Sequence, residues 1–428
     1  LPNLPQVLDS AMGLIEQENP SLQGVLYREF SRLALGEGKL GELMNEIAKL
    51  KFDPRSHGSR DVFGEVYEYF LGKFALNEGA RAGEFYTPKS VVNLLVEILA
   101  PFKGKIYDPA CGSGGMFVQS LKFKEAHQRI TGKAGDLAVY GQELMAQTRR
   151  LAFMNLAVHG LEGNLGETYG STFTVDQHKN LRADYILANP PFNISDWGGD
   201  KLGEDPRWAY GIPPKGNANF AWLQHMIARL SGRGRAGIVL ANGSMSSQQS
   251  GEGDIRRNMV QADIVEAMVA LPGQLFSNTQ IPACLWFLSK DKGAGINGQQ
   301  DRKGQILFID ARKVATGRIS RTQIEYTEED LHRISQTYHR WRGTEFSEGG
   351  DYADEPGFCF NASLADVEKH GFVLTPGRYV GAVAEDDDDE VFAEKMLRLT
   401  AQLSEQMKKG AELDAVIREK LGRMGYVV

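Results

Sequence analysis

The sequence has few cysteines and no long apolar run, and these absences disfavour several classes of protein. Its 428 residues include only three cysteines, and none of them forms a Cys-x-x-Cys pair. This cysteine usage disfavours a disulfide-stapled fold and a zinc knuckle. No run of about 18 uncharged apolar residues occurs, so no transmembrane helix is predicted. No secretory signal opens the chain, which favours the cytoplasm, and the first residue is leucine rather than methionine, as in a fragment.

Positive charge is also scarce, since the formal net charge is −7. Charged residues make up 24% of the chain and apolar residues 42%, which is the balance of an ordinary globular protein. A chain of this charge has no overall basic surface for nucleic acid. Any nucleic-acid role must therefore use local patches or a partner. The length suits two or three domains with one sizeable core.

Three regions of the chain differ in sequence pattern. Residues 1–80 have helical periodicity and predict an N-terminal helical domain. Residues 81–325 alternate short apolar runs with helical stretches, which predicts a doubly wound α/β domain whose parallel sheet is covered on both faces. Residues 326–428 contain an acidic run and then a long helix that could equally pack on the protein or form a coiled-coil contact. The predicted strands are 105–108, 137–142, 184–188, 236–241, 264–271, 283–289 and 305–310.

A glycine-rich turn follows the first predicted strand. Asp108 ends that strand, and Gly112, Gly114 and Gly115 allow the backbone to turn tightly and to approach a ligand before the next helix. The segment is neither a complete dinucleotide fingerprint nor a phosphate loop. A nucleotide-like ligand at this strand end is one interpretation, and a tight turn with no ligand is the other.

The second predicted strand ends next to Glu143. A carboxylate at this position can accept hydrogen bonds from two ribose hydroxyl groups. Glu143 could instead be an acidic residue that stabilises a helix N-terminus through the helix dipole. The order of the motifs along the chain favours the ribose role.

The strand predicted at 184–188 is followed by Asn189, Pro190, Pro191 and Phe192. Two prolines cannot donate to a sheet, so the strand ends here in a stiff turn. The Asn189 side-chain oxygen and the Pro190 carbonyl can both accept hydrogen bonds from one amino group, and Phe192 can stack on a base that has been swung out of a duplex. An ordinary turn with Phe192 in the core would explain the prolines but not the asparagine.

Taken together, the motifs resemble S-adenosylmethionine-dependent methyltransferases that modify amino groups. More closely, the chain resembles the modification (M) subunit of type I restriction-modification systems, which are DNA adenine-N6 methyltransferases. The resemblance implies a seven-stranded, Rossmann-like methyltransferase sheet between a helical domain and a helical tail. The motifs that carry it are GEFYTPKSVVNLL (83–95), DPACGSGGMF (108–117), YGQE (140–143), ANPPFN (188–193), NANFAWLQHM (217–226) and LPGQLFSNTQIPACLWFLSK (271–290).

The resemblance also implies which residues hold the cofactor. The segment 84–89 would close over its methionine end, with Thr87 reaching the carboxylate. Thr87 and Pro88 are also a good helix start, with Thr87 as the N-cap. Glu167 stands where the family usually has aspartate and would contact the adenine. The full set of expected cofactor-binding residues is Glu84, Phe85, Tyr86, Thr87, Pro88, Lys89, Asp108, Ser113, Gly114, Gly115, Glu143 and Glu167.

Other polar residues have less specific interpretations. His159 and His225 lie on helical stretches without a partner at ligand spacing, so we interpret them as structural and predict no metal site. Cys111 is interpreted as part of the packing of the glycine turn. Scattered cations are candidate phosphate contacts or ordinary surface charges: Lys89, Lys201, Lys215, Arg256 and Arg257.

Few residues remain after the last catalytic strand to form a DNA-reading domain. A separate polypeptide is therefore expected to select the DNA sequence. The resemblance implies double-stranded DNA as substrate, a specificity (S) subunit in that selecting role, and restriction (R) subunits as further partners. The C-terminal helix is the candidate contact for the specificity subunit. Two alternatives remain open: methyl transfer to a protein glutamine or an RNA amino group, and a silent scaffold that binds cofactor only to assemble a complex.

Overall fold

A mixed sheet forms the centre of the protein. The computed structural model describes residues 3–33, 37–49, 64–71, 87–133, 135–276, 282–295, 299–321, 323–381 and 392–423. The strands are β1 (Gly104–Asp108), β2 (Leu137–Gly141), β3 (Gly163–Asn164), β4 (Ala183–Ala188), β5 (Leu230–Ala241), β6 (Val265–Ala270), β7 (Ala283–Ser289), β8 (Gln305–Asp310), β9 (Gly317–Arg318), β10 (Ile324–Glu325) and β11 (Cys359–Ser363). Within these ranges, nine strands form one sheet in the order β11-β8-β6-β7-β5-β4-β1-β2-β3, and β9 and β10 form a separate hairpin.

Helices cover both faces of this sheet. The helices of the described residues are α1 (Leu4–Glu18), α2 (Glu37–Ala48), α3 (64–71), α4 (Lys89–Leu99), α5 (Gly115–Thr131), α6 (Ala146–Val158), α7 (Asn219–Arg229), α8 (Glu252–Gln261), α9 (Glu328–Arg342), α10 (Leu364–Lys369) and α11 (Phe392–Arg423), and those that contribute buried residues to the two faces lie between α4 and α10. Strand β5 shows why both faces are filled. Val239 belongs to one buried apolar cluster, and its neighbours Ile238 and Leu240 belong to another on the opposite face. Each of these side chains is fully buried, which contributes about 1.5–3 kcal/mol apiece.

The seven predicted strands all form, but the expectation of an entirely parallel sheet is wrong. Strand β7 pairs antiparallel with both β5 and β6. β6 and β7 are consecutive along the chain and lie side by side, and residues 271–276 leave β6 in a turn rather than in a crossover helix. Direct pairing of consecutive strands without a crossover requires opposite directions. The edge strand β11 also runs antiparallel, against β8.

The N-terminal residues that the structure describes are helical, as expected. The Asp9 carboxylate on α1 accepts hydrogen bonds from the Phe30 and Ser31 backbone N–H groups, which ties the following turn to the helix. Val66 and Phe70 lie on α3, whereas the predicted helical positions Val62, Phe63 and Phe74 fall outside the described residues.

Chain contacts divide the protein into Leu1–Gly381 and Ala382–Val428. The second unit contains α11, which continues through Gly410 without a break. Throughout the described ranges, no helix is long and apolar enough to span a membrane.

Candidate active site

Parallel pairing brings three predicted motifs to one edge of the sheet. β1 lies between β2 and β4 and is parallel to both. The carboxyl ends of parallel neighbours meet at the same edge, which is where ligands bind in open α/β sheets. Asp108 ends β1, Glu143 follows β2, and Asn189 follows β4. The predicted cofactor turn and the predicted catalytic turn are therefore on adjacent strands.

The glycine turn has the tight geometry that the sequence indicates. Gly114 is the N-cap of α5 with φ 81°, and its N–H donates to the Cys111 carbonyl at 2.8 Å. Any residue with a Cβ is strained at this φ, so glycine is required. A Cβ added at Gly112 or Gly115 would have no heavy atom within 4 Å. The turn thus exposes backbone that a ligand can approach closely.

Glu143 joins the turns after β1 and β2. Its carboxylate accepts hydrogen bonds from the Gly112 N–H at 3.0 Å and from the Met145 N–H at 2.9 Å, and the residue is only 6% exposed. Met145 is the N-cap of α6, and the first turn of that helix has no acidic residue, so Glu143 lies before the helix rather than on it. The hydrogen bond from the Gly112 N–H holds the Glu143 carboxylate beside the glycine turn. This is the position that binding of a ribose by Glu143 would require.

Asp108 is buried beside this carboxylate. It is 2% exposed, and its Oδ1 accepts a hydrogen bond from the Ala110 N–H at 2.9 Å. Burial raises the pKa of Asp108 to about 8. The bond from Ala110 opposes this rise, and the negative charge of Glu143 adds to it. In this pocket Asp108 is therefore largely protonated near neutral pH.

The Asn189 side chain faces the predicted cofactor segment. Its Nδ2 donates to the Thr87 Oγ1 at 2.7 Å, across 102 positions of sequence. In this orientation the amide nitrogen faces the Thr87 hydroxyl, and Oδ1 is the amide atom turned away from it. The expectation that Thr87 caps the following helix is wrong: the N-cap of α4 is Pro88, without a side-chain cap bond. Proline one position later shifts the helix start, and the Thr87 hydroxyl bonds Asn189 instead.

The residues after Asn189 are held by side-chain contacts. The half-buried Phe192 ring packs edge-on against Phe276, with ring centroids 6.2 Å apart. Asn193 has φ 54°, and its N–H donates to Asn219 Oδ1 at 3.1 Å while Asn219 Nδ2 donates back to Asn193 Oδ1 at 2.8 Å. This reciprocal pair connects the turn after β4 to the start of α7.

Several predicted residues lie elsewhere or cannot be described. Glu84, Phe85 and Tyr86 fall outside the described residues, and Lys89 is the first residue of α4. Glu167 is exposed in the loop after β3.

One predicted phosphate contact is wrong. The Arg256 side chain is fully buried and donates to the carbonyl oxygens of Phe372 and Ser247, at 2.7 Å each. Its sequence signal, a cation after a polar loop, does not distinguish a surface charge from one that holds backbone. Lys215 is exposed but forms an ion pair with Asp200 at 2.9 Å.

Sequence reasoning missed two residues that support the site. Gln142 is buried, and its Nε2 donates to the Gly170 and Val175 carbonyl oxygens at 3.0 and 2.8 Å, which holds the loop after β3 against β2. Asn155 on α6 donates to the Ser113 carbonyl at 2.8 Å and so holds the glycine turn. The position of Gln142 directly before Glu143 was the only available signal.

A buried polar network lies below the site. Arg207 Nη1 donates to His225 Nδ1 at 3.0 Å, so His225 Nε2 carries the proton and donates to the Tyr107 hydroxyl at 3.2 Å. Burial, and then the nearby Arg207 charge, hold the pKa of His225 well below its usual value. His225 therefore acts in packing, as expected. Across the described ranges, no group of three or more metal-ligating side chains is found.

This fold and this site define a methyltransferase that modifies amino groups. The N-6 DNA methylase family matches residues 58–388. The methylase subunit of the type I restriction enzyme HindI from Haemophilus influenzae is 47% identical over 98% of this chain and 93% of its own length. The methylase subunit of the type I enzyme MjaIX from Methanocaldococcus jannaschii is 36% identical over 99% of this chain and 74% of its own.

A solved structure agrees with these sequence matches. The type I restriction-modification methyltransferase subunit from Streptococcus thermophilus superposes with a TM-score of 0.70 at 26% identity, covering 88% of this chain and 76% of that one. The chain belongs to the N-6 DNA methylase family and is an adenine-specific DNA methyltransferase of the type I restriction-modification class. The predicted fold class and activity are both confirmed.

Proposed function

We propose that the β1 and β2 edge binds S-adenosylmethionine and that the β4 turn presents adenine to it. The fit rests on the glycine turn, where Cβ atoms added at Gly112 and Gly115 would enter open space that a ligand can fill, and where the Gly112 N–H is bonded to Glu143. When bound, this cofactor supplies a methyl group on a positively charged sulfur. Backbone N–H groups and the two carboxyl groups can bind its polar parts, and Leu144, 56% exposed beside Glu143, offers an apolar surface to its base.

Asn189 and Pro190 would orient the adenine amino group. Because Asn189 Nδ2 is bonded to Thr87, Oδ1 is the amide atom that can accept from a substrate N–H. The Pro190 carbonyl accepts the second N–H, and two acceptors direct the nitrogen lone pair toward the methyl group. Phe192 would stack on the extruded base. No strong base is needed before the attack, since the amine becomes acidic only after it has gained the methyl group.

The observation that carries this proposal is the hydrogen bond between Asn189 and Thr87. It is tested with Asn189→Ala, assayed by transfer of labelled methyl groups to duplex DNA and by calorimetric binding of S-adenosylmethionine. We expect methyl transfer to be lost while cofactor affinity and melting temperature stay close to the wild-type values. Asn180→Ala, in an exposed turn, is the matched control and should behave as wild type. Wild-type rates in Asn189→Ala would refute the assignment.

We further propose that α11 binds a specificity subunit. The relatives are named as subunits of restriction enzymes. Five large apolar side chains of α11 are 44–69% exposed, which is typical of a helix that packs on another helix. They are Met396, Leu403, Met407, Leu413 and Ile417.

Co-purification with the specificity subunit tests this contact. Deletion of 391–428 should abolish it, and so should Leu403→Ser with Met407→Ser, while cofactor binding persists. The control is Glu405→Ser with Lys409→Ser, which removes an exposed ion pair from the opposite side of the helix without changing net charge. Unchanged assembly of the apolar variant, or equal loss in the control, would contradict the proposal.

A further inference from the structure

The connection after β8 is a basic segment in an acidic protein. Residues 311–321 contain Arg312, Lys313, Arg318 and Arg321 and no acidic residue, whereas the whole chain has a net charge of −7. The segment includes β9 and leads into β10, and together they form a two-stranded antiparallel hairpin. We call residues 311–325 the basic hairpin. The activity described above gives it no role.

The topology places the basic hairpin at the active-site edge. β8 is parallel to β6, and β6 runs in the same direction as β5 and β4, because β7 opposes both β5 and β6. The carboxyl end of β8 therefore lies on the edge where β4 ends at Asn189. Ile324 N–H donates to the Gln274 carbonyl at 3.1 Å. Two residues further on, Phe276 packs against Phe192.

The basic hairpin is anchored to the protein. Thr316 N–H donates to Asp330 Oδ2 at 2.9 Å, and the Thr316 hydroxyl donates to Asp330 Oδ1 at 3.1 Å. A Cβ at Gly317 would lie 2.8 Å from the Glu325 side chain, so the two strands are in close contact. Ser320 N–H donates to the Gln323 carbonyl at 3.1 Å and closes the tip. These contacts hold the hairpin backbone that carries the cations in a defined position.

Three of the four cations form no ion pair with any residue that the structure describes. Arg312 is bonded to Asp310, with Nε to Oδ1 at 2.8 Å. Lys313, Arg318 and Arg321 are exposed, and none of the ion pairs between described residues includes them. The neighbouring acidic residues in sequence are Asp310, which is bonded to Arg312, Glu325 on β10, Glu328 and Glu329 in the first turn of α9, and Asp330, which is bonded to Thr316.

We infer that the basic hairpin binds the phosphate backbone of duplex DNA beside the extruded adenine. The inference rests on the DNA-methyltransferase activity and adds a binding surface to it. Exposed Lys and Arg side chains bind phosphates and release counterions without reading the sequence. An enzyme that extrudes a base must also hold the duplex around it. In a chain of net charge −7, the part of this contact that the chain itself makes requires a local basic patch.

The test is a triple variant, Lys313→Gln, Arg318→Gln and Arg321→Gln. Its matched control is Lys105→Gln, Arg182→Gln and Arg233→Gln, which removes the same charge from exposed positions near the amino ends of β1, β4 and β5. The full chain, co-produced with its specificity subunit, is titrated with fluorescent duplex DNA by anisotropy. The titration is repeated between about 50 and 200 mM salt.

The hairpin variant should bind DNA at least about tenfold more weakly at low salt, with a log–log salt slope smaller by about 3. Its Michaelis constant for DNA should rise while cofactor affinity and melting temperature stay unchanged. The control should keep the wild-type slope. A wild-type slope in the hairpin variant, or an equal loss in the control, would overturn the inference. Methylation by the wild-type sample is measured in a separate assay. Its absence would contradict the enzymatic activity, whereas the salt titration tests DNA binding by the hairpin.

Discussion

Replacing Thr87 by valine tests whether Thr87 orients the Asn189 amide, which we propose to be catalytic. Valine has the shape of threonine but no hydroxyl, so the 2.7 Å bond from Asn189 Nδ2 is lost. Asn189 is half-buried, and a donor left without its partner costs about 1–3 kcal/mol. The amide can then also rotate by a half-turn and present its nitrogen, rather than Oδ1, to the adenine amine.

The size of the rate change follows if the free-energy cost of the lost hydrogen bond is added to the activation barrier. A loss of about 1–3 kcal/mol corresponds to a rate about 5- to 150-fold lower. Thr87→Ser keeps the hydroxyl and should retain most of the activity. The assay is single-turnover methyl transfer to duplex DNA at saturating cofactor, together with a calorimetric dissociation constant for S-adenosylmethionine.

Two outcomes would refute the reasoning. One is an unchanged rate in Thr87→Val, which would mean that the amide is positioned by other contacts. The other is a weaker cofactor affinity with an unchanged rate at saturation, which would leave Thr87 with the cofactor-carboxylate role alone. Both roles are chemically compatible, since a hydroxyl that accepts from Asn189 still has a proton to donate.

Three further predictions concern the site and its support. Asp108 has a folded pKa near 8 and an unfolded pKa of about 3.9, so cofactor-free stability should fall as pH rises from about 4 to about 8. Asp108→Asn should lack this fall in thermal denaturation, and a parallel pH profile would contradict the burial argument. Gly114→Ala should lose about 1–2 kcal/mol in urea unfolding because φ is 81°, whereas Gly115→Ala should be nearly neutral. Arg342→Met leaves the Glu266 carboxylate buried without its ion partner at 3.1 Å, so the free energy of unfolding should fall by about 3–5 kcal/mol. Adding Glu266→Gln should restore part of this stability. A loss below about 1 kcal/mol would show that water reaches the carboxylate.

The sheet could be predicted from the sequence because buried strands are apolar on both faces. Runs such as 236–241 and 305–310 are short, mostly apolar and rich in β-branched residues or bounded by glycine, which favours buried strands, and both form strands. Strand direction is not contained in such a pattern, and for this reason the reversal of β7 was missed. The strands β3, β9, β10 and β11 were missed: β3, β9 and β10 have only two residues each, which give no periodicity to detect, and β11 is a partly polar edge strand.

The site could be predicted where backbone chemistry restricts the choice of residue. The turn after β1 needs a positive φ that glycine adopts without strain, and the two prolines after Asn189 fix their own φ, so their positions at strand ends followed directly. The hydrogen bond between Thr87 and Asn189 could not be found, because it joins residues 102 positions apart. Arg256 was misjudged for a related reason: whether a cation meets solvent or a carbonyl oxygen depends on tertiary packing.

Under the proposed function, the pairing of β1 with β4 makes the distance between the cofactor methyl group and the adenine amine a property of the backbone. The strand that carries the glycine turn and the strand that carries Asn189 are direct neighbours, held at the roughly 4.8 Å spacing common to all sheets. Side-chain changes in the surrounding helices can alter stability without changing this interval. Related enzymes can therefore differ widely in their loops, tails and partners while the distance between the methyl donor and the acceptor amine stays the same.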